Sequence, residues 1–143
     1  TLEAMETRGV TVVGYRTNEM PAFTSVSSRL PLEHRVESPH EAASLILSHR
    51  SLGLPGAIVL ANPVPEEHAV DSEAMNRALD EALRQAELQN ISGKDVTPFL
   101  LDAIRRATGG DSLRANQSLL IANARLAGLV AVSVRELSGQ AAG

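Results

Sequence analysis

Two short apolar runs are the feature that most limits the folds open to this chain. They are Val10-Thr11-Val12-Val13-Gly14 and Ala57-Ile58-Val59-Leu60-Ala61. Runs of this kind, without polar alternation, are typical of strands that are buried on both faces of a parallel sheet. A helical pattern precedes each run, and this alternating order predicts an α/β fold. We expect a three-layer α/β/α sandwich.

The helices are marked by local start and stop signals. The clearest is Ser38-Pro39-His40-Glu41, where Ser38 is placed as N-cap, Pro39 in the first turn and Glu41 to complete a capping box. Further helices are predicted from Asp71 or Ser72, from Thr97-Pro98 and from Asp111. The helix that begins at Asp71 or Ser72 has two i,i+4 pairs on a solvated face, Glu73 with Arg77 and Asp80 with Arg84.

The last predicted helix has two asparagines among its apolar residues. At about 100° per residue, one side collects Leu113, Asn116, Leu119, Leu120, Asn123, Leu126, Ala127, Val130 and Val134. A buried amide without a partner costs on the order of 1–3 kcal/mol. Either backbone groups of nearby loops satisfy both amides, or at least one faces a ligand. An amide suits sugar hydroxyls or a base edge, because it offers two donors and an acceptor.

Two segments follow the predicted strands and are candidate ligand contacts. They are GYRT at residues 14–17, with a long loop behind it, and ANPVP at residues 61–65. Ligands of open α/β sheets gather at the carboxyl ends of the strands. We therefore predict Thr17 and Asn62 as substrate-binding residues.

Composition excludes several classes of function. The net charge of -4 argues against nucleic acid as a partner, and the lack of cysteine excludes disulfides and thiolate chemistry. No histidines are spaced i,i+3 or i,i+4 as a helical metal site needs. No uninterrupted apolar run approaches the roughly 18 to 20 residues that span a bilayer, and there is no signal peptide. We expect a cytoplasmic protein with no membrane partner.

The order of several motifs resembles a known enzyme family. TLEAMETRGV, GYRTNEMPAF, HRVESPHEAA, LGLPGAIVLANPVPEEHAV and GKDVTPFLLDAIRRATGGDSLRANQSLL follow one another through nearly the whole chain. Together they resemble the C-terminal part of pseudouridine-5'-phosphate glycosidase, also called the indigoidine synthase A family. The resemblance implies that residues 1–137 are part of one such domain, present here as a portion of the α/β/α sandwich. Residues 138–143 are expected to form a flexible tail.

The resemblance also implies a reaction of nucleotide catabolism. Pseudouridine 5'-phosphate is cleaved reversibly at its C-glycosidic bond to uracil and ribose 5-phosphate, with Mn2+ as cofactor and a homotrimer as the assembled enzyme. A lysine forms a covalent adduct with the opened sugar. The iminium form of this adduct can accept electrons while the C-glycosidic bond, with its poor carbon leaving group, is cleaved. In the family this lysine, the metal-binding aspartate and the proton-transferring glutamate all precede the segment that matches this chain.

The residue assignments follow from that alignment of motifs. Asn116 matches an active-site asparagine and is predicted to bind substrate. Asn123 is predicted to contact the substrate-binding residues without touching the substrate itself. Lys94, the single lysine, lies outside the nucleophile motif, so no catalytic residue and no metal ligand is predicted here. In PAFTSVSS, Thr24 replaces a usual aromatic residue and Val26 a frequent arginine.

Two functions from different classes remain open. The chain opens without Met inside a helical pattern, and we expect a segment of a longer protein. With an N-terminal half it would form the glycosidase, and alone it would be inactive. The alternative is a non-catalytic truncated remnant that acts as a binding or assembly module.

Overall fold

A computed structural model describes residues 2–22, 28 and 30–140. Its helices and strands are α1 (Leu2–Thr7), β1 (Thr11–Tyr15), β2 (His34–Val36), α2 (Pro39–Ser51), β3 (Ile58–Ala61), α3 (Ser72–Leu88), α4 (Val96–Ala107) and α5 (Asp111–Gln140), with short 3-10 turns at Glu66–His68 and Gly93–Asp95. The chain divides into two compact units. Among the described residues, the first unit comprises 2–21, 28, 30–63 and 121–140, and the second unit comprises 22 and 64–120.

The first unit is built on a three-stranded parallel sheet in the order β2-β1-β3. The register places Val13 beside His34 on one neighbour and beside Leu60 on the other. The predicted α/β class and both predicted strands are thereby confirmed, although only β1 is mostly buried and β3 is buried at Ala61 alone. Within the described ranges β3 pairs only with β1, so its outer backbone edge offers hydrogen-bonding groups to a further strand.

The core of the first unit lies on one face of this sheet. Val13 and Val36 from the sheet, Ala42 from α2, and Leu126 and Val130 from α5 form a buried apolar cluster. Because successive side chains of a strand point to opposite faces, this cluster places α2 and α5 against the same side of the sheet. Burying Leu126 alone stabilises the unit by roughly 2 kcal/mol.

The predicted capping box of α2 forms with one change of partner. Ser38 is the N-cap, and its hydroxyl accepts a hydrogen bond from the Glu41 backbone N–H at 3.2 Å. The Glu41 carboxylate, however, accepts from the backbone N–H of Glu37 at 2.9 Å. The reciprocal bond therefore reaches one residue further back than the standard motif, and it ties the end of β2 to the start of α2.

The second unit is largely helical. Its α3 and α4 pack together, with Ala82 and Ala86 buried, and Asp71 caps α3 by accepting from the Ala74 N–H at 2.8 Å. The predicted Glu73–Arg77 pair is present at 3.5 Å. The predicted pairing of Asp80 with Arg84 was wrong.

Arg84 pairs with Glu81 instead, at 2.6 Å. The i,i+3 carboxylate lets the guanidinium donate two bonds, from Nε at 2.8 Å and from Nη2 at 2.6 Å. Such a bidentate pair is geometrically stronger than a single contact.

Helix α5 departs from expectation in part of its buried side and in its length. Leu126 and Val130 are buried as predicted, whereas Leu113 and Leu120, predicted on the same side, are exposed, and Ala115 is buried. Apolar residues lie around most of this helix, so periodicity does not single out one face. The helix continues through Gln140, which places the first residues of the expected tail in regular structure.

The exposed side of α5 in the first unit is strongly apolar. Ile121, Leu129 and Val132 are 71%, 48% and 55% exposed, and we call these three residues the outer face of α5. By length and composition alone, with a mean hydropathy of 1.4, α5 is one helix that meets the requirements of a membrane span. The sequence expectation counted only uninterrupted apolar runs and therefore missed it. A helix packed inside a domain meets the same two requirements.

Candidate functional site

The carboxyl end of β1 makes an unusually close turn. A Cβ placed on Gly14 would lie 2.1 Å from the carbonyl oxygen of Thr17. Only glycine fits there, because no side-chain carbon approaches a backbone oxygen that closely. The turn brings GYRT back beside the strand end, at the edge of the sheet where ligands of α/β folds bind.

Arg16 makes several contacts at this edge. Its backbone has φ +57, which is uncommon for a residue with a side chain. Its N–H donates to the Val36 carbonyl and its Nε to the Glu37 carbonyl, each at 2.9 Å. The guanidinium carbon lies 5.1 Å from the centre of the Tyr15 ring, in cation–π range. Sequence reasoning missed Arg16, although its place directly after a buried strand was the available signal.

The pKa of the neighbouring Glu37 carboxylate is lowered by Arg35 and Arg16. The side-chain hydrogen bond from Arg35 lowers the pKa of Glu37, and the charges of Arg35 and Arg16 add to that effect. Glu37 raises the pKa of Arg35 in return, chiefly through that hydrogen bond. Glu37 is therefore ionised near neutral pH, and Arg35 occupies its side chain.

Thr17 has a local partner. Its hydroxyl donates to the Glu19 carbonyl at 3.0 Å and accepts from the Glu19 N–H at 3.1 Å. The single hydroxyl proton is therefore used inside the turn. A substrate contact by Thr17, which stays a prediction, would use the remaining lone pair of its oxygen.

Asn62 and Asn123 are brought together although 61 residues separate them in the chain. The Asn62 amide nitrogen donates to the Asn123 side-chain oxygen at 2.9 Å. Asn62 directly follows β3 and is half-buried, whereas Asn123 is exposed. The expectation that Asn123 lies centrally in the buried stripe was wrong, because α5 turns Leu126 and Val130 toward the sheet and leaves Asn123 at the margin of that face.

Asn62 lines two cavities of the first unit, and Asn123 lines one of them. One, of about 630 Å³, is mostly apolar and is lined by Leu60, Leu126 and Val130 as well as by both amides. The other, of about 370 Å³, is lined by Asn62 together with Tyr15, Arg16, Pro39, Ala122, Arg125, Leu126 and Leu129. The bond to Asn123 uses one of the two Asn62 N–H groups, so the other N–H and the carbonyl oxygen are available to a ligand.

Asn116 belongs to the second unit. It is half-buried and lines a cavity of about 380 Å³ with mainly apolar walls, alongside Ser112 and Leu113. No hydrogen bond joins its side chain to another residue in the described part of the chain, whereas Ser112 accepts from the Thr108 hydroxyl at 3.0 Å. An amide with free donors and acceptor at an apolar wall is suited to orienting a polar ligand.

Three further expectations concern a metal site, a lysine nucleophile and the PAFTSVSS loop. Over residues 2–22, 28 and 30–140, no three His, Cys, Asp or Glu side chains cluster as a metal site requires. Lys94 is exposed in the Gly93–Asp95 turn. Thr24 and Val26 lie outside the described residues.

These features define a class of protein. A parallel α/β sheet carries an arginine and a bonded pair of amides at the carboxyl ends of adjacent strands, which is where α/β domains generally place their ligand sites. Comparison with known proteins narrows the class: a family model described as indigoidine synthase A like protein matches residues 1–133. The chain belongs to this family.

Named relatives agree with that assignment. The chain is 45% identical over 141 residues to a pseudouridine-5'-phosphate glycosidase of Caldanaerobacter subterraneus, and 46% identical over 137 residues to that of Staphylococcus aureus. These matches cover 99% and 96% of this chain but only 46% and 45% of the relatives. The chain thus spans about half the length of the relatives it matches.

Two solved structures are similar over the same portion. The prealnumycin C-glycosynthase AlnA, determined in complex with ribulose 5-phosphate, superposes with a TM-score of 0.90 and 36% identity over 98% of this chain and 46% of its own. An indigoidine synthase A-like protein of Thermotoga maritima gives 0.78 and 36% over 94% of this chain and 44% of its own.

Proposed function

We propose that this chain is the C-terminal part of an enzyme that reversibly cleaves pseudouridine 5'-phosphate to uracil and ribose 5-phosphate. The observation that carries the proposal is the match to glycosidases of this name across almost the whole chain. The ribulose 5-phosphate bound by the structural relative supports a sugar phosphate as ligand. In this proposal the chain forms part of the wall of the substrate site, and the reactive groups lie in the other half.

The amides of each unit are proposed substrate contacts. Asn116 offers an unoccupied amide at its cavity, and Asn62 offers one N–H and its carbonyl oxygen. Asn123 positions Asn62 by accepting its other N–H at 2.9 Å. Sugar hydroxyls and the edge of uracil present both donors and acceptors, and amides match both. Thr17 holds the turn beside the strand end.

The covalent and metal chemistry is assigned to the part that this chain does not supply. The side chains present do not fit Mn2+, because the described residues lack a suitable cluster of ligands. Lys94 is exposed and is not assigned as the nucleophile. Mn2+ and the lysine adduct of the opened sugar remain implications of family membership.

Assembly completes the site. The outer face of α5 exposes three large aliphatic residues, and β3 has an unpaired edge within the described ranges. Both surfaces are suited to packing against the N-terminal half of the same fold. The cytoplasmic homotrimer is the assembled form that we propose.

Reconstitution tests the proposal. The 143-residue chain is mixed with the part of the Caldanaerobacter relative that precedes the matching segment, and uracil release from pseudouridine 5'-phosphate is followed with Mn2+. Turnover is expected in the mixture and in neither part alone. Asn116→Ala should lower kcat/KM by about tenfold or more, the loss of one or two well-placed hydrogen bonds. The matched control is Gln117→Ala, an exposed neighbour on the same helix.

Two results would contradict the proposal. Turnover by this chain alone would show that the reactive groups lie within it. A complex that forms but stays inactive would favour the alternative function, a non-catalytic remnant that acts as an assembly module. The observation behind that alternative is the exposed outer face of α5, which gives an assembly module an apolar contact surface, so activity of the complex decides between the two functions.

A further inference from the structure

The link between α4 and α5 lies inside the second unit and is very short. Thr108, Gly109 and Gly110 are the three residues that separate the two helices. Both glycines have a positive φ, +58 and +89. Because glycine adopts many backbone conformations at little cost, these two residues by themselves allow several directions for the start of α5. A contact outside the glycine backbone is needed to select one direction.

The hydroxyl group of Thr108 supplies that contact. It donates to the Ile104 carbonyl of α4 at 2.8 Å and to the Ser112 hydroxyl oxygen of α5 at 3.0 Å, so the two acceptors share its single proton. The same oxygen accepts from the Ser112 backbone N–H at 3.3 Å. Ser112 is only 9% exposed, so water does not readily replace a lost partner there. One side-chain oxygen thus joins the last turn of α4 to the first turn of α5.

Both helices that Thr108 joins contribute to the cavity of Asn116. Ile104 from α4 and Ser112 and Asn116 from α5 line the same 380 Å³ cavity. Ser112 and Asn116 are four residues apart and therefore lie on one face of the helix. The Asn116 side chain has no hydrogen bond to another residue in the described part of the chain, so the direction of α5 decides where its amide lies.

The distance from the link to the amide sets the size of the effect. Asn116 is six residues beyond Gly110, which is about 9 Å along the axis at about 1.5 Å per residue. A tilt of about 10° at the link would move Asn116 by about 1.5 Å over that length. A displacement of about 1 Å in a substrate-positioning group can lower a rate about a hundredfold. A small change at the link is therefore enough to misplace the amide.

We infer that Thr108 is a positioning residue of the substrate site. Its hydroxyl fixes the direction of the first turns of α5 and thereby the place of the Asn116 amide. Thr108 itself touches no substrate and acts through Asn116. The consequence for turnover rests on the proposed function, in which Asn116 contacts the substrate. The structural consequence does not, because all the bonds concerned lie within this chain.

The first test follows the Asn116 side-chain amide in the NMR spectrum of the isotope-labelled 143-residue chain, where Asn116→Ala assigns the resonance. Thr108→Val keeps the shape of the side chain but removes the hydroxyl, and it should shift the Asn116 resonance. Thr108→Ser keeps the hydroxyl and should leave the resonance in place. The matched control is Thr7→Val, because Thr7 donates to the Glu3 carbonyl at 2.8 Å without joining a second helix. It should not move the Asn116 resonance.

Two results of this test would overturn the inference. One is an Asn116 resonance that stays in place in folded Thr108→Val, and the other is an equal shift in Thr7→Val. Circular dichroism verifies the fold of each variant. If valine prevents folding, Thr108→Ala, which also lacks the hydroxyl but has no β-branch, takes its place with the same expected shift.

The second test separates positioning from a general structural role. In the reconstituted mixture, Thr108→Val should lower kcat/KM about tenfold or more, and Thr108→Ser should restore most of it. In an Asn116→Ala background the same substitution should change kcat/KM by less than about twofold, because the group that Thr108 positions is already absent. An equal loss in both backgrounds would show that Thr108 acts through the fold in general, and the inference would be wrong.

The two tests distinguish this inference from the proposed function. If the Asn116 resonance depends on the Thr108 hydroxyl while the reconstituted mixture is inactive, the positioning role stands and the glycosidase proposal fails. Turnover in the mixture, together with an Asn116 resonance that Thr108→Val leaves unchanged, gives the opposite result.

Discussion

The hydrogen bond between Asn62 and Asn123 should contribute to stability, but a single substitution would hide most of that contribution. Removing a hydrogen bond of ordinary geometry, here 2.9 Å, costs about 1 kcal/mol of unfolding free energy. Asn123 lies inside a helix, where alanine is favoured over asparagine by about 0.6 kcal/mol. Asn123→Ala should therefore destabilise the chain by only about 0.4 kcal/mol, the difference between these two terms.

The coupling appears when Asn62 is already absent. In an Asn62→Ala background there is no bond to lose, so Asn123→Ala should stabilise the chain by about 0.6 kcal/mol through helix propensity alone. The difference between the two backgrounds, about 1 kcal/mol, is the interaction energy of the pair. Asn76→Ala is the matched control, because Asn76 is an exposed helical asparagine on α3. It should stabilise the chain by about the same 0.6 kcal/mol.

Urea unfolding followed by circular dichroism measures this cycle. With a slope of about 2 kcal/mol per molar urea, the coupling corresponds to a difference of about 0.5 M in midpoint shift. If Asn123→Ala has the same effect in both backgrounds, within about 0.3 kcal/mol, the two side chains do not interact in solution. The proposed positioning of Asn62 by Asn123 would then be wrong.

Three further results are expected. Gly14→Ala should destabilise the chain by about 3 kcal/mol or more in thermal unfolding, because its Cβ would meet the Thr17 oxygen at 2.1 Å; an unchanged midpoint would show that the turn opens freely. Hydrogen bonds from Arg84 and Gln85 lower the pKa of Glu81 to about 2. The stability that Glu81 contributes should therefore be present above about pH 4.5 and lost as pH falls toward 2. Glu81→Gln should remove that fall in the urea midpoint with decreasing pH. A variant whose midpoint falls with pH as steeply as that of the unmodified chain would contradict the pairing. Replacing all three residues of the outer face of α5 by glutamine should reduce self-association in light scattering without lowering the melting temperature, whereas a large loss of stability would place that face in the core.

Local signals predicted the parts of the fold that depend on neighbouring residues. The strands β1 and β3 followed from β-branched runs, and the starts of α2 and α3 from Ser38 and Asp71, because caps and buried strands are set by a few adjacent side chains. The partner of Arg84 was predicted less well, since Asp80 and Glu81 are both within helical reach. Sequence spacing alone does not choose between them.

The site was predictable only in its location. Thr17 and Asn62 were predicted because they follow the carboxyl ends of parallel strands. The hydrogen bond from Asn62 to Asn123, however, joins segments that meet only in the folded chain. Arg16 was missed because its left-handed backbone and its bond to the Glu37 carbonyl depend on how β1 and β2 pair. Contacts of this kind follow from tertiary structure, and no pattern in adjacent residues encodes them.

The exposure of Leu113, Leu120 and Asn123, which were predicted on the buried side of α5, has a physical cause that also bears on function. A helix with apolar residues on all sides is normally covered on all sides, and here one side packs on the sheet while the outer face of α5 remains exposed. Asn123 lies at the margin of the covered side and is bonded to Asn62. An amide at that margin keeps its polar atoms near the strand ends while leucine and valine cover the sheet. The apolar surplus of α5 is therefore what an interior helix of a longer α/β domain requires, and its asparagine adjoins the region where that domain would hold a polar ligand.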